Sequence, residues 1–152
     1  MFPTNRTRLA ALGAAAGAVV ALGLGPIAGI AQAAPHALKV PLTTANVNCD
    51  GSPAGGQGTG PGGGFVIYNE PANGKLIANV VLQHARPGTT YNVRVIQSAA
   101  TCGQVDGSIT TDSSGAGSVN IQEPVSGTTA FVAINNTGNP ANDYLTTQVI
   151  PT

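Results

Sequence analysis

Cys49 and Cys102, His36 and His84, and the carboxylates Asp50, Glu70, Asp106, Asp112, Glu123 and Asp143 are the side chains of this chain best suited to chemistry. Serine nucleophiles need a base and an orienting acid, and the elbow G-x-S-x-G does not occur in the sequence. His84 sits beside a strand corner where it could act as a base, but without a partner it reads as a turn histidine. Two histidines and two cysteines do not make a zinc set once the cysteines pair. No further carboxylates follow Asp112 at calcium-loop spacing, and the scattered acids show no glycosidase pair by spacing alone.

Gly58, Gly60 and Gly63 spell G-x-G-x-x-G, but Pro61 interrupts the motif and the β-prone FVIY follows where a nucleotide site needs a helix. Asn135-Asn136-Thr137 has the pattern of a glycosylation sequon and reads as a turn. Phe65, Tyr68, Tyr91, Phe131 and Tyr144 are expected in the core, with Tyr68 and Tyr144 the exceptions that could face solvent. No catalytic, metal-binding or cofactor-binding residue is therefore assigned, and the chain reads as a non-enzyme.

The N-terminus decides how the cysteines are read. Arg6 and Arg8 precede an uncharged Ala/Gly/Val/Leu run from Leu9, which ends in small residues at Ala31 and Ala33. That is the layout of a secretory signal peptide over 1–33, cut after Ala33. In an exported chain an isolated cysteine pair is most simply one disulfide, Cys49 to Cys102. The mature chain, 34–152, keeps Lys39, Lys75, Arg86 and Arg94 against the six acids, a net charge of about −2. It lacks the basic footprint that nucleic acid or anionic lipid requires, and no membrane association is expected after cleavage.

The elements that position these residues follow a period of two. In KLIANVVLQ, Leu76, Ala78, Val80 and Leu82 share one face, with Ile77, Asn79, Val81 and Gln83 on the other. In YNVRVIQ, Tyr91, Val93 and Val95 alternate with Asn92 and Arg94, the latter read as solvated. GSITTDSSGAGSVNI predicts a hairpin turning at Asp112-Ser113-Ser114-Gly115. KVPLTTANV, FVIYNE, TAFVAIN and YLTTQVI complete about eight strands. GSPAGGQGTGPGGG, 51–64, is expected to be a flexible Gly-rich loop without a regular element.

ARPGTTYNVRV, with Pro87, Gly88, Thr89 and Tyr91, resembles the corner L-x-P-G-T-x-Y of fibronectin type III modules, Ala85 standing where leucine is usual. Tyr91 would then fill core while its hydroxyl meets a backbone group. The order Tyr91, Cys102, Thr110-Thr111-Asp112-Ser113-Ser114-Gly115 is also similar to that of secreted bacterial apoproteins of the neocarzinostatin type. Those have four cysteines where this chain has two, so their disulfide framework does not transfer.

Both resemblances imply a single immunoglobulin-like antiparallel β-sandwich of about seven to eight strands. The function expected is a secreted, extracellular or cell-surface binding or structural module without cofactors. Its partner would be an extracellular protein, a cell-envelope component or a small apolar ligand. The last would make the chain a carrier resembling the neocarzinostatin apoproteins.

Overall fold

The computed structural model describes residues 37–70 and 73–152. The segment expected to be cleaved, 1–33, the cut after Ala33, and His36 lie outside the described residues. The eleven strands among the described residues are β1 (Leu38–Leu42), β2 (Ala45–Val47), β3 (Pro53–Gln57), β4 (Gly63–Asn69), β5 (Lys75–Gln83), β6 (Thr90–Ile96), β7 (Gly107–Thr110), β8 (Gly117–Pro124), β9 (Thr129–Asn136), β10 (Tyr144–Thr146) and β11 (Ile150–Pro151). A 3₁₀ turn, Ala99–Thr101, follows β6.

Two antiparallel sheets contain most of these strands, in the orders β1-β4-β5-β8 and β10-β9-β6-β7, with β11 also paired to β9. β2 and β3 pair with each other. β5 coincides with KLIANVVLQ, and Leu76, Ala78, Val80 and Leu82 are all buried. They join Val66 and Tyr68 of β4, Tyr91, Val93 and Val95 of β6, and Val132 and Ile134 of β9 in one apolar cluster drawn from both sheets. Each such aliphatic side chain contributes about 1.5–3 kcal/mol by leaving water, and alternation places it on the inner face without any long-range information.

Three expectations are corrected. The hairpin over GSITTDSSGAGSVNI does not form: β7 pairs with β6 in one sheet, and β8 pairs with β5 in the other. The turn itself is as read, Asp112 Oδ1 accepting the Ser114 and Ala116 amides at 2.8 and 3.0 Å. The same turn chemistry serves a hairpin or a crossing between sheets, and the choice is made by Ile109 and Ile121 both entering the shared core. The Gly-rich segment 51–64 is not irregular throughout, since β3 lies within it and Gly63 and Gly64 open β4. Tyr68 is 2% exposed, and its hydroxyl meets Thr147 Oγ1 at 3.0 Å.

The Pro87-Gly88 corner carries the chain from β5 in one sheet to β6 in the other. The Asp112 turn docks against it: the Ala85 amide donates to Gly115 O at 3.0 Å, and Thr111 Oγ1 donates to Arg86 O at 2.6 Å. On the opposite edge, Thr43 links the sheets' rims, exchanging backbone bonds of 2.8 Å with Thr146 between β1 and β2.

Candidate functional site

The core-facing residues of β6 and β9 leave Asn92, Arg94 and Ile96, and Phe131, Ala133 and Asn135, on the outer face of their sheet. The ladder sets Ile96 opposite Phe131, Arg94 opposite Ala133, and Asn92 opposite Asn135, with Thr146 and Tyr144 of β10 continuing the last two rows. Ile96 and Phe131 are each only 3% exposed, yet neither belongs to the core cluster. Two large apolar side chains are thus buried on the face of the sheet that points away from the core.

The disulfide lies beside them. Cys49, in the turn between β2 and β3, is bonded to Cys102, just after the 3₁₀ turn, with Cα atoms 5.5 Å apart. Two hollows share Ile96 and Phe131 as floor: one of about 170 Å³ is flanked by Cys49, and a larger cleft of about 280 Å³ by Cys102. The far wall of the larger cleft is β2, whose Asn46 and Val47 face it. That wall is held by Thr146, whose Oγ1 donates to Ala45 O at 2.6 Å.

The cleft grades from apolar to polar along the strands. Ile96 and Phe131 form one end, and Asn135 and Tyr144 the other, with Arg94 between them. Arg94 Nη1 donates to Asn135 Oδ1 at 2.9 Å. Tyr144 therefore sits where the sequence allowed it, half-exposed in a cleft. Arg94, read as solvated, is half-buried on that floor. Asn135 of the sequon lies within β9, not in a turn.

Two further polar clusters lie elsewhere. Asp143 is 2% exposed and accepts from Arg86 Nε at 3.1 Å, from the Tyr91 hydroxyl at 3.3 Å and from Asn136 Nδ2 at 2.7 Å. Tyr91 OH accepts in turn from the Arg86 amide at 3.3 Å, and burial, with Asp143 adding to it, raises the phenol above its ordinary range. A Cβ on Gly60 would run into the Asp143 carboxylate, so glycine is required there for the segment 51–64 to pass. These donors come from the corner, the start of β6 and the end of β9, which makes Asp143, in the loop before β10, a junction of the fold. Glu123, beside Gln97, is pushed up to about 7, by burial first and then by the neighbouring Asp106 carboxylate.

The remaining sequence candidates do not converge. His84 is exposed at the corner with φ 55, and Asp112 is occupied by its own turn. Gly58 and Gly60 press against the backbone of Tyr144 and the side chain of Asp143. Among the described residues no group of three or more His, Cys, Asp or Glu could hold a metal ion.

No family model matches the chain, and no curated protein or solved structure matches it. The cleft beside the disulfide brings together one cation, Arg94, the amides of Asn46 and Asn135, and the apolar side chains Val47 and Ala133.

Proposed function

We propose that the chain is a secreted, non-catalytic binding module of immunoglobulin-like sandwich architecture that holds a small, largely apolar ligand in the cleft over β6, β9 and β10. The observation that carries this reading is a cleft of about 280 Å³ on the outer face of β6, β9 and β10 that brings Arg94, Ala133, Asn135, Tyr144 and Val47 together above the buried Ile96 and Phe131. Ligand sites are concave and carry a few placed polar groups, and this cleft is concave with Arg94, Asn135 and Tyr144 set among Val47, Ala133 and Pro140.

Strand order supports the architecture. Lettered A, B, C, C′, E, F and G, β4 to β10 give A-B-E in one sheet and G-F-C-C′ in the other, with β1 as an added edge strand. The bond from the Arg86 amide to the Tyr91 hydroxyl is similar to the tyrosine corner of such domains, placed here before C instead of F. The signal-like segment 1–33 and the disulfide support an extracellular location. Fold alone does not assign a ligand, so the carrier reading rests on the cleft.

Native mass spectrometry of protein from culture medium tests it: a fraction of molecules should exceed the bare mature mass. Repeated bare masses together with no uptake of an apolar dye overturn the carrier reading. Hydrolase or oxidoreductase activity that is lost on His84→Ala would overturn the non-catalytic part.

A second reading, docking of an extracellular or cell-envelope protein, is favoured by the outer face of the other sheet. There Phe65 and Val81 are paired and half-buried, and the Lys39 amine lies 3.8 Å from the Phe65 ring centre.

A further inference from the structure

Arg94 differs from Arg86 in its partner. Arg86 is paired to Asp143, the one ion pair among the described residues. Arg94 stands in the cleft, whose lining contains no carboxylate. Its hydrogen bond among the described residues goes to the neutral Asn135. Asn135 Nδ2 donates to the Pro140 carbonyl at 3.1 Å, which turns the amide oxygen toward the arginine and holds the guanidinium over the floor.

A guanidinium has five N–H donors in a planar fork that matches a carboxylate or sulfonate bidentately. Asn135 engages one nitrogen. Among the described residues Arg94 makes no ion pair, so an anionic group entering the same cleft would give the guanidinium a charged partner. Ala133, the ladder partner of Arg94, brings only a methyl to the cleft lining.

We infer that the cleft selects molecules with an anionic oxygen group, a carboxylate or sulfonate, on a compact apolar body, and that Arg94 determines this specificity. The inference rests on the cleft being the ligand site. The apolar body lies against Val47 and Ala133 above the buried Ile96 and Phe131, and the anion meets the Arg94 fork beside Asn135.

Two dyes that share an aromatic skeleton separate the two statements: anilinonaphthalene sulfonate is anionic, and N-phenylnaphthylamine is neutral. Titrated into the purified full chain, the sulfonate should bind roughly tenfold more tightly than the neutral dye, the scale of one charge-assisted bond. Arg94→Gln should erase that preference while keeping binding of the neutral dye. Ala133→Phe, which fills the floor, should remove both.

Equal affinity for the two dyes, or a preference that survives Arg94→Gln, overturns the anion inference and leaves the cleft standing. Failure of both dyes to bind, or binding unaffected by Ala133→Phe, overturns the cleft itself. If Arg94→Gln does not fold, competition on the unaltered chain decides: phenylbutyrate should displace N-phenylnaphthylamine at roughly a tenth of the phenylbutanol concentration. Equal displacement by acid and alcohol overturns the inference.

Discussion

Asp143 shows how much a single side chain can hold without doing chemistry. Three donors, Arg86 and Tyr91 from the corner and β6 and Asn136 from β9, end on its carboxylate, whose side chain is 3% exposed, while its ionic partner Arg86 is 52% exposed. Removing the acid leaves buried donors without acceptors, whereas removing the arginine breaks a half-solvated pair. Asp143→Ala should therefore cost about 2–3 kcal/mol in denaturant unfolding, and Arg86→Gln less than about 1 kcal/mol. Equal losses would mean that the pair, and not the buried acceptor, carries the effect. Glu123 has the opposite character. Its carboxyl rises from 4.5 to about 7 on folding, so between those values the folded chain retains a proton that the unfolded chain has released. Stability is then fully present below about pH 4.5 and falls as pH rises through about 7. The melting temperature should decline from about pH 5 to pH 8, and Glu123→Gln should flatten most of that decline. A parallel decline in both proteins would place its origin elsewhere.

Segment 51–64 is where composition misleads at the scale of the element. Its glycines argue for irregular chain because each carries a large entropic cost on ordering. Three different physical demands nevertheless place them: β3 pairs with β2, Gly58 and Gly60 pass close to Tyr144 and Asp143, and Gly64 lies against the Val81 carbonyl. The glycines are thus used for close approach and not only for freedom. Gly60→Ala should destabilise by about 1–3 kcal/mol through collision with Asp143, while Gly55→Ala, with nothing within 4 Å, should stay within about 0.5 kcal/mol. Thermal unfolding of the two variants side by side checks this, and equal effects would show that the segment does not pack as described. β5 is the contrasting case. Its ends and its buried face were legible in KLIANVVLQ because alternation and burial ask for the same residues over nine positions.

At the scale of the whole molecule one covalent link ties distant segments together. The Cys49–Cys102 bridge spans 53 residues and ties the β2–β3 turn to the turn after β6, above Ile96 and Phe131. Replacing both cysteines by serine should cost about 4 kcal/mol on the loop-entropy estimate. It should also weaken dye binding, since the wall over the cleft loses its anchor. A double variant as stable as the parent would contradict the first expectation. Period-two alternation, the turn residues and the isolated cysteine pair determined, by themselves, that this chain makes short antiparallel strands joined by one disulfide. They did so because alternation, turn geometry and cysteine pairing are local or compositional signals. Only the tertiary structure decided which strands pair. The Asp112 turn closes the same bonds whether β7 and β8 adjoin or separate, and burial of Ile109 and Ile121 from two sheets in one core separates them. The cleft was likewise beyond the sequence. Arg94, Asn135 and Tyr144 come from three strands, and alternation tells only that Arg94 faces outward, not that a disulfide-anchored hairpin covers part of that face.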